Sequence, residues 1–151
     1  MGLKNLFIEA TAKTPQIDMN YLNGELIFSG RSIPENSAEL YEDVLKWVHE
    51  YIENPRKVTN LRLNLEYFNT SSSIWIAKIV KLLSTIKESE NTVIIHLYFN
   101  IEEFENMNSE DIGDALSPII DIIGTPSVNL GIKIYGTDPD GLILKESMVL
   151  I

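Results

Sequence analysis

The sequence predicts an α/β fold, a mixed β-sheet of about five to six strands with helices packed on it. Three observations predict it. Segments with apolar residues at period 2 alternate along the chain with segments at helical spacing. An Asn23-Gly24 pair lies between two strand-like flanks. One stretch, residues 61–83, passes from the first period to the second across a cluster of hydroxyls.

The elements follow in order. Residues 6–10 are a short apolar run that reads as a first strand. Residues 16–20 and 25–29 alternate on either side of Leu22-Asn23-Gly24, and Asn-Gly favours a hairpin because both residues tolerate positive φ. Residues 30–34 then leave the sheet. Asn36-Ser37-Ala38-Glu39 has the form of a capping box, with Asn in place of Ser or Thr. It opens a helix whose buried stripe is Leu40, Val44, Val48 and Tyr51, widened by Tyr41, Leu45 and Ile52, and which Asn54-Pro55 ends. Trp47 flanks that stripe at the core edge, and His49 falls on the solvated side.

The next stretch is the organising junction. Leu61, Leu63, Leu65 and Tyr67 share one face of a half-buried strand. Asn69-Thr70-Ser71-Ser72-Ser73 follows, made of residue types that cap helix starts. Ile76, Ile79, Val80, Leu83 and Ile86 then recur at helical spacing, to about residue 89. The hydroxyls therefore sit at the positive end of a helix dipole. They either cap it or accept a phosphate, which would meet free N–H groups there. Ile74 and Trp75 are apolar beyond what one core face needs, so they are either buried by a neighbouring element or part of a partner surface.

Residues 92–99 form a strand rich in β-branched and aromatic side chains. Residues 101–114 carry Glu102, Glu103, Glu105, Glu110, Asp111 and Asp114, a run that reads as a solvated loop or helix face. Residues 111–123 read as a shorter helix stopped by Gly124 and Pro126, and 128–135 as a final strand. Thr137-Asp138-Pro139-Asp140-Gly141 is a turn without EF-hand spacing. The apolar tail 142–151 adds a strand, covers a sheet edge or joins a dimer contact.

Composition narrows the function classes. A chain of 151 residues is sized for one domain spanning 1–151. With 44% hydrophobic and 23% charged residues it is not a disordered segment. A net charge of -10 and the lack of a basic stripe exclude nucleic acid as a general partner and disfavour anionic membrane surfaces. The absence of cysteine excludes disulfides, thiolate catalysis and cysteine-ligated metals. No apolar run reaches the roughly 20 residues that span a bilayer, and the N-terminus lacks a signal-peptide core. Met1-Gly2 has Leu6 where a myristoylation motif wants Ser or Thr. A cytoplasmic location is the expectation.

No catalytic motif is found. The two histidines, His49 and His96, stand alone in a helix and a strand. Phosphate-binding Gly loops and Gly-x-Ser-x-Gly are absent. No cofactor and no metal site are expected. An enzyme or ligand-binding domain using the carboxylates of 102–114 is the alternative from another class, and a constitutive interaction module in which Thr70 is only a cap is the third.

Two motifs carry a family resemblance. Arg31-Ser32-Ile33-Pro34-Glu35-Asn36, followed by Trp47 in the next helix, and Leu65-Glu66-Tyr67-Phe68-Asn69-Thr70-Ser71-Ser72-Ser73 resemble the SiaC-type regulatory phosphoproteins. Ile8-Glu9-Ala10-Thr11 through Thr14-Pro15 and the Asn23-Gly24 hairpin are similar too, so the likeness spans residues 6–135. The pairing of Pro-Glu-Asn with Asn-Thr-Ser-Ser at this separation makes it specific. That family is similar in fold to the STAS domains of anti-sigma-factor antagonists. The resemblance implies a STAS-like domain, with 136–151 as a C-terminal extension. It implies a non-enzymatic partner switch in cyclic di-GMP signalling. A serine/threonine kinase of the anti-sigma-factor type phosphorylates Thr70, with Ser71 as second choice. A PP2C-type phosphatase removes the phosphate, and the unphosphorylated form binds a diguanylate cyclase. The implied partner surface is Asn69, Ser72, Ser73, Ile74 and Trp75 with Pro34, Glu35 and Asn36. Two departures stand out: Ile74 replaces a lysine that follows the triple serine in that family, and the extension lies outside its pattern.

Overall fold

In the computed structural model, which describes residues 3–87, 90–106, 117 and 120–150, the strands are β1 (Leu6–Ile8), β2 (Gln16–Asn20), β3 (Glu25–Ser32), β4 (Val58–Phe68), β5 (Thr92–Asn100), β6 (Asn129–Thr137) and β7 (Ile143–Leu150). The helices are α1 (Ser37–Tyr51), α2 (Thr70–Ser84) and α3 (Ile101–Asn106), and residues 120–123 are also helical. The seven strands make one sheet in sequence order. β1, β2 and β3 pair antiparallel, β3 to β6 pair parallel, and β7 returns antiparallel to β6. The α/β class with a mixed sheet is borne out. The strand count exceeds the expectation because the C-terminal tail adds a strand.

Each parallel step crosses over through a helical segment. Such crossovers are right-handed, and all three step the same way along the sheet, so their helices share one face. α1 and α2 pack on each other there. The sheet residues facing them are apolar. Met19, Leu26, Leu61, Ile95 and Ile132 stand in register across five strands, each fully buried. The opposite face, helix-free among the described residues, carries Asp18, Ile27, Arg62, His96, Lys133 and Met148 in register. Period-2 alternation in the sequence is thus converted into one greasy and one polar face.

The structure departs from the sequence reading at four places. The hairpin loop between β2 and β3 is residues 21–24, as the strand bounds 16–20 and 25–29 imply, since Asn20 pairs with Glu25, but its turn differs from the one expected. Only Gly24 takes a positive φ, of 70°; Asn23 does not. Asn20 Oδ1 accepts N–H bonds from Leu22 and Asn23 and shapes the turn instead. A Cβ on Gly24 would fall on the Val58 carbonyl oxygen. Second, residues 30–32 stay in the sheet: a register shift between Gly30 and Arg31 lets β3 continue to Ser32 beside Phe68. Third, β4 begins at Val58, ahead of the apolar alternation. Fourth, α2 stops at Ser84. The hydroxyls of Ser84 and Thr85 donate to the carbonyls of Lys81 and Leu82, each at 2.6 Å, and such local bonds compete with helix continuation.

α1 buries Tyr41, Val44, Trp47, Val48 and Tyr51. Trp47 goes deeper than the core edge because its Nε1–H donates to the Lys4 carbonyl at 2.7 Å. His49 is exposed. The predicted helix 111–123 lies partly outside the described residues; its last residues, 120–123, are helical.

Candidate functional site

The junction sits where β4 ends at Phe68, next to Ser32 at the end of β3. Asn69 is extended (φ -86°, ψ 172°), which turns the chain out of the strand. Its Oδ1 accepts from the Ser72 backbone N–H at 2.9 Å and from Ser71 Oγ at 3.0 Å. Its own N–H donates to the Ser32 carbonyl at 2.9 Å. Asn69 is therefore the N-cap of α2, as its residue type favours. Asn69→Ala is expected to cost about 1 kcal/mol in urea unfolding, and an unchanged midpoint would contradict this capping role.

Thr70 is the first helical residue and is exposed. Its hydroxyl makes none of the junction's hydrogen bonds; only its carbonyl is engaged, accepting from Ser73 Oγ at 2.7 Å. Ser71 is half-buried and spends its hydroxyl on the cap. The first turn of α2 holds no acidic residue. A group attached at Thr70 would thus meet solvent, the dipole's positive end and N–H groups without helical partners.

Beneath the turn lies a hydroxyl clamp. Ser32, Tyr41 and Ser72 are all fully buried. Ser72 Oγ donates to the Ser32 carbonyl at 2.9 Å, and Ser32 Oγ donates to Ser72 Oγ at 2.8 Å. Ser32 Oγ lies 2.6 Å from Tyr41 OH, and with its own proton given to Ser72 it accepts from the phenol. Burial raises the Tyr41 hydroxyl's pKa above its ordinary value, against the opposing effect of the Ser32 and Ser72 bonds, so the phenol stays a donor. The Tyr41 ring stacks on Phe28 and on Trp75, at 6.3 Å from each. One strand end, α1 and the first turn of α2 are joined in this way.

The clamp divides the residues expected at the partner surface. Ser72 and Pro34 are buried in the fold. Their part is internal: Pro34's carbonyl receives Asn69 Nδ2 at 3.4 Å, which ties the Pro-Glu-Asn segment to the junction. Asn36 is exposed but serves as the N-cap of α1, accepting from Glu39 N–H at 3.3 Å. Glu35 is exposed and pairs with Lys13 at 3.0 Å, and that ammonium holds its carboxyl below the usual range. Ser73 is half-buried. Ile74 is 53% exposed and lies one helical turn from Thr70 on the same face. Trp75 is divided: one face packs on Tyr41, and Lys78 Nζ lies 4.5 Å from its ring centre. Sequence reasoning missed two apolar neighbours, Ile33 (37% exposed) and Phe68 (55% exposed). The signal for Phe68 was present. It follows Tyr67 and so breaks the alternation just before the hydroxyls.

Among the described residues the acidic segment does not converge on a centre. Glu102, Glu103 and Glu105 are exposed on α3, and Glu105 pairs with Lys145 at 3.5 Å. Glu110, Asp111 and Asp114 lie outside the described residues. Among the described residues no cluster of His, Asp or Glu could hold a metal ion, and no helix is long and apolar enough to cross a membrane.

Comparison with known proteins bears on this junction. A 32% identical relative is an uncharacterized protein of Pseudomonas aeruginosa strain UCBPP-PA14, matched over 65% of this chain and 78% of that protein. The crystal structure of apo-SiaC from Pseudomonas aeruginosa superposes with a TM-score of 0.64 at 25% identity, covering 84% of this chain and 98% of that one. SiaC in its complex with the diguanylate cyclase SiaD, of which it is the activator, gives 0.65 at 26% identity, covering 83% and 98%. The model of the SiaC family regulatory phosphoproteins matches residues 8–123, a span that contains both motifs and the whole hydroxyl junction. The chain belongs to the SiaC family of regulatory phosphoproteins.

Proposed function

We propose that this protein is a phosphorylation-controlled partner switch rather than an enzyme, built as a single domain across residues 1–151 and acting in the cytoplasm. Thr70 is the phosphoacceptor. The observation that carries this is the division of labour at the junction: Asn69 caps the helix and Ser71 is tied to the cap, whereas the Thr70 hydroxyl is exposed and makes no hydrogen bond among the described residues. A residue needed only for capping would not be left so, and the cap of α2 is Asn69.

The unphosphorylated surface is Thr70, Ser73 and Ile74, with Ile33 and Phe68 beside it. An apolar centre edged by the Lys13–Glu35 and Arg31–Glu66 ion pairs has the anatomy of a protein interface. The partner is a diguanylate cyclase, by analogy with the complex of SiaC and SiaD. A serine/threonine kinase of the anti-sigma-factor type and a PP2C-type phosphatase set the state of Thr70. Phosphate adds up to about two negative charges at the interface rim, enough to lower affinity tenfold to a thousandfold.

The test is a paired capture from host lysate with Thr70→Ala and Thr70→Glu as baits. The alanine variant is expected to retain a cyclase and the glutamate variant to lose it. Equal recovery by both would overturn the switch.

A further inference from the structure

α2 exposes Thr70, Ile74, Lys78 and Lys81. These positions follow each other at intervals of four, four and three, so they form one stripe along the helix. The stripe reverses the sign of its surroundings. The protein carries a net charge of -10, yet α2 contains no aspartate or glutamate. The neighbouring α1 exposes Glu39, Glu42, Asp43 and Glu50 against Lys46, and α3 exposes Glu102, Glu103 and Glu105. Neither Lys78 nor Lys81 makes an ion pair among the described residues. Both are nevertheless held along the helix, Lys78 over the Trp75 ring and Lys81 Nζ 3.3 Å from the Ile123 carbonyl.

We propose that this stripe is the docking surface for an acidic amphipathic segment of the partner, with an apolar side chain on Ile74 and carboxylates on Lys78 and Lys81. The proposal rests on the switch described above and supplies its chemistry. Two ammonium groups give the stripe a charge of about +2, and phosphate on Thr70 contributes about -2. Phosphorylation therefore brings the stripe close to neutral and sets a dianion one turn from the apolar anchor. An acidic partner loses its attraction and gains a repulsion in one step.

The test uses two synthetic helical peptides and the full-length protein, followed by amide NMR. One peptide has Leu at helical spacing with Glu between; the other has Lys in place of every Glu. The acidic peptide is expected to shift amide resonances along 70–81 and the basic one to leave them unmoved. Lys78→Glu is expected to weaken acidic-peptide binding about tenfold, and Lys78→Arg to preserve it. Equal binding of both peptides, binding of neither, or shifts confined to another face would overturn the proposal. If the acidic peptide fails while Thr70→Glu still abolishes cyclase capture, the docking chemistry falls and the switch stands. If the peptide binds along the stripe while Thr70→Ala and Thr70→Glu capture alike, the switch falls and the surface stands.

Discussion

Tyr41→Ala is expected to destabilise the protein by about 4 kcal/mol, the cost typical of removing a fully buried aromatic ring. The ring stacks between Phe28 of β3 and Trp75 of α2, so its loss leaves a void that three elements line. Tyr41→Phe separates ring from hydroxyl. It keeps the stack and removes only the bond to Ser32 Oγ, whose proton still goes to Ser72. That variant is expected to cost about 1 kcal/mol. Urea unfolding of both, with an unchanged slope, is the measurement. A loss below about 1 kcal/mol for the alanine variant would contradict the sandwich. Amide exchange adds the link to function: the amides of the first turn of α2 should open sooner in Tyr41→Phe, while those of β5, remote from the clamp, should hold.

Much of this was legible in the sequence. The period change at residues 61–83 located the strand, the cap and the helix; the residue types there allowed either a cap or a phosphate acceptor, and Thr70 was singled out only by the family resemblance. What the sequence withheld was which hydroxyl does which task. Asn69, Thr70, Ser71 and Ser72 are all plausible caps by type; only the turn geometry gives the cap to Asn69, points Ser72 inward and leaves Thr70 free. The clamp was illegible for another reason. Ser32 and Tyr41 meet Ser72 across gaps of 40 and 31 positions, set by the register of β3 against β4, and no local pattern encodes such contacts. Residues 30–34 read as an exit from the sheet, whereas Gly30 adjoins a bulge and β3 runs on to Ser32. An apolar tail suits a strand, an edge cover or an interface equally well, so its pattern does not single out β7.

His96 gives the protein an acid-sensitive point on the sheet face opposite the helices. It is 3% exposed, with Nε2 2.7 Å from Asn60 Oδ1 and Nδ1 2.6 Å from Tyr135 OH. Because an amide oxygen only accepts, Nε2 carries the proton and Nδ1 accepts from the phenol. A second proton on Nδ1 would be desolvated and would face the Arg62 guanidinium, 3.4 Å away and itself held by Glu25 and Tyr98. Burial first, then the charges of Arg62 and Lys133, push the His96 pKa down from 6.5 to about 4. The folded value lies below the unfolded one, so between them the unfolded chain takes up a proton that the folded chain refuses. The stabilisation is complete above about pH 6.5 and is lost as the pH falls toward 4. By linkage the loss is about 2 kcal/mol at pH 5 and about 3 kcal/mol near pH 4. His96→Gln removes this titration. Every other ionisable group is common to both proteins, so the comparison isolates His96. Urea midpoints at pH 7.5 and pH 5 should therefore fall further for the wild type than for His96→Gln, and parallel profiles would show that His96 is protonated without cost in the fold.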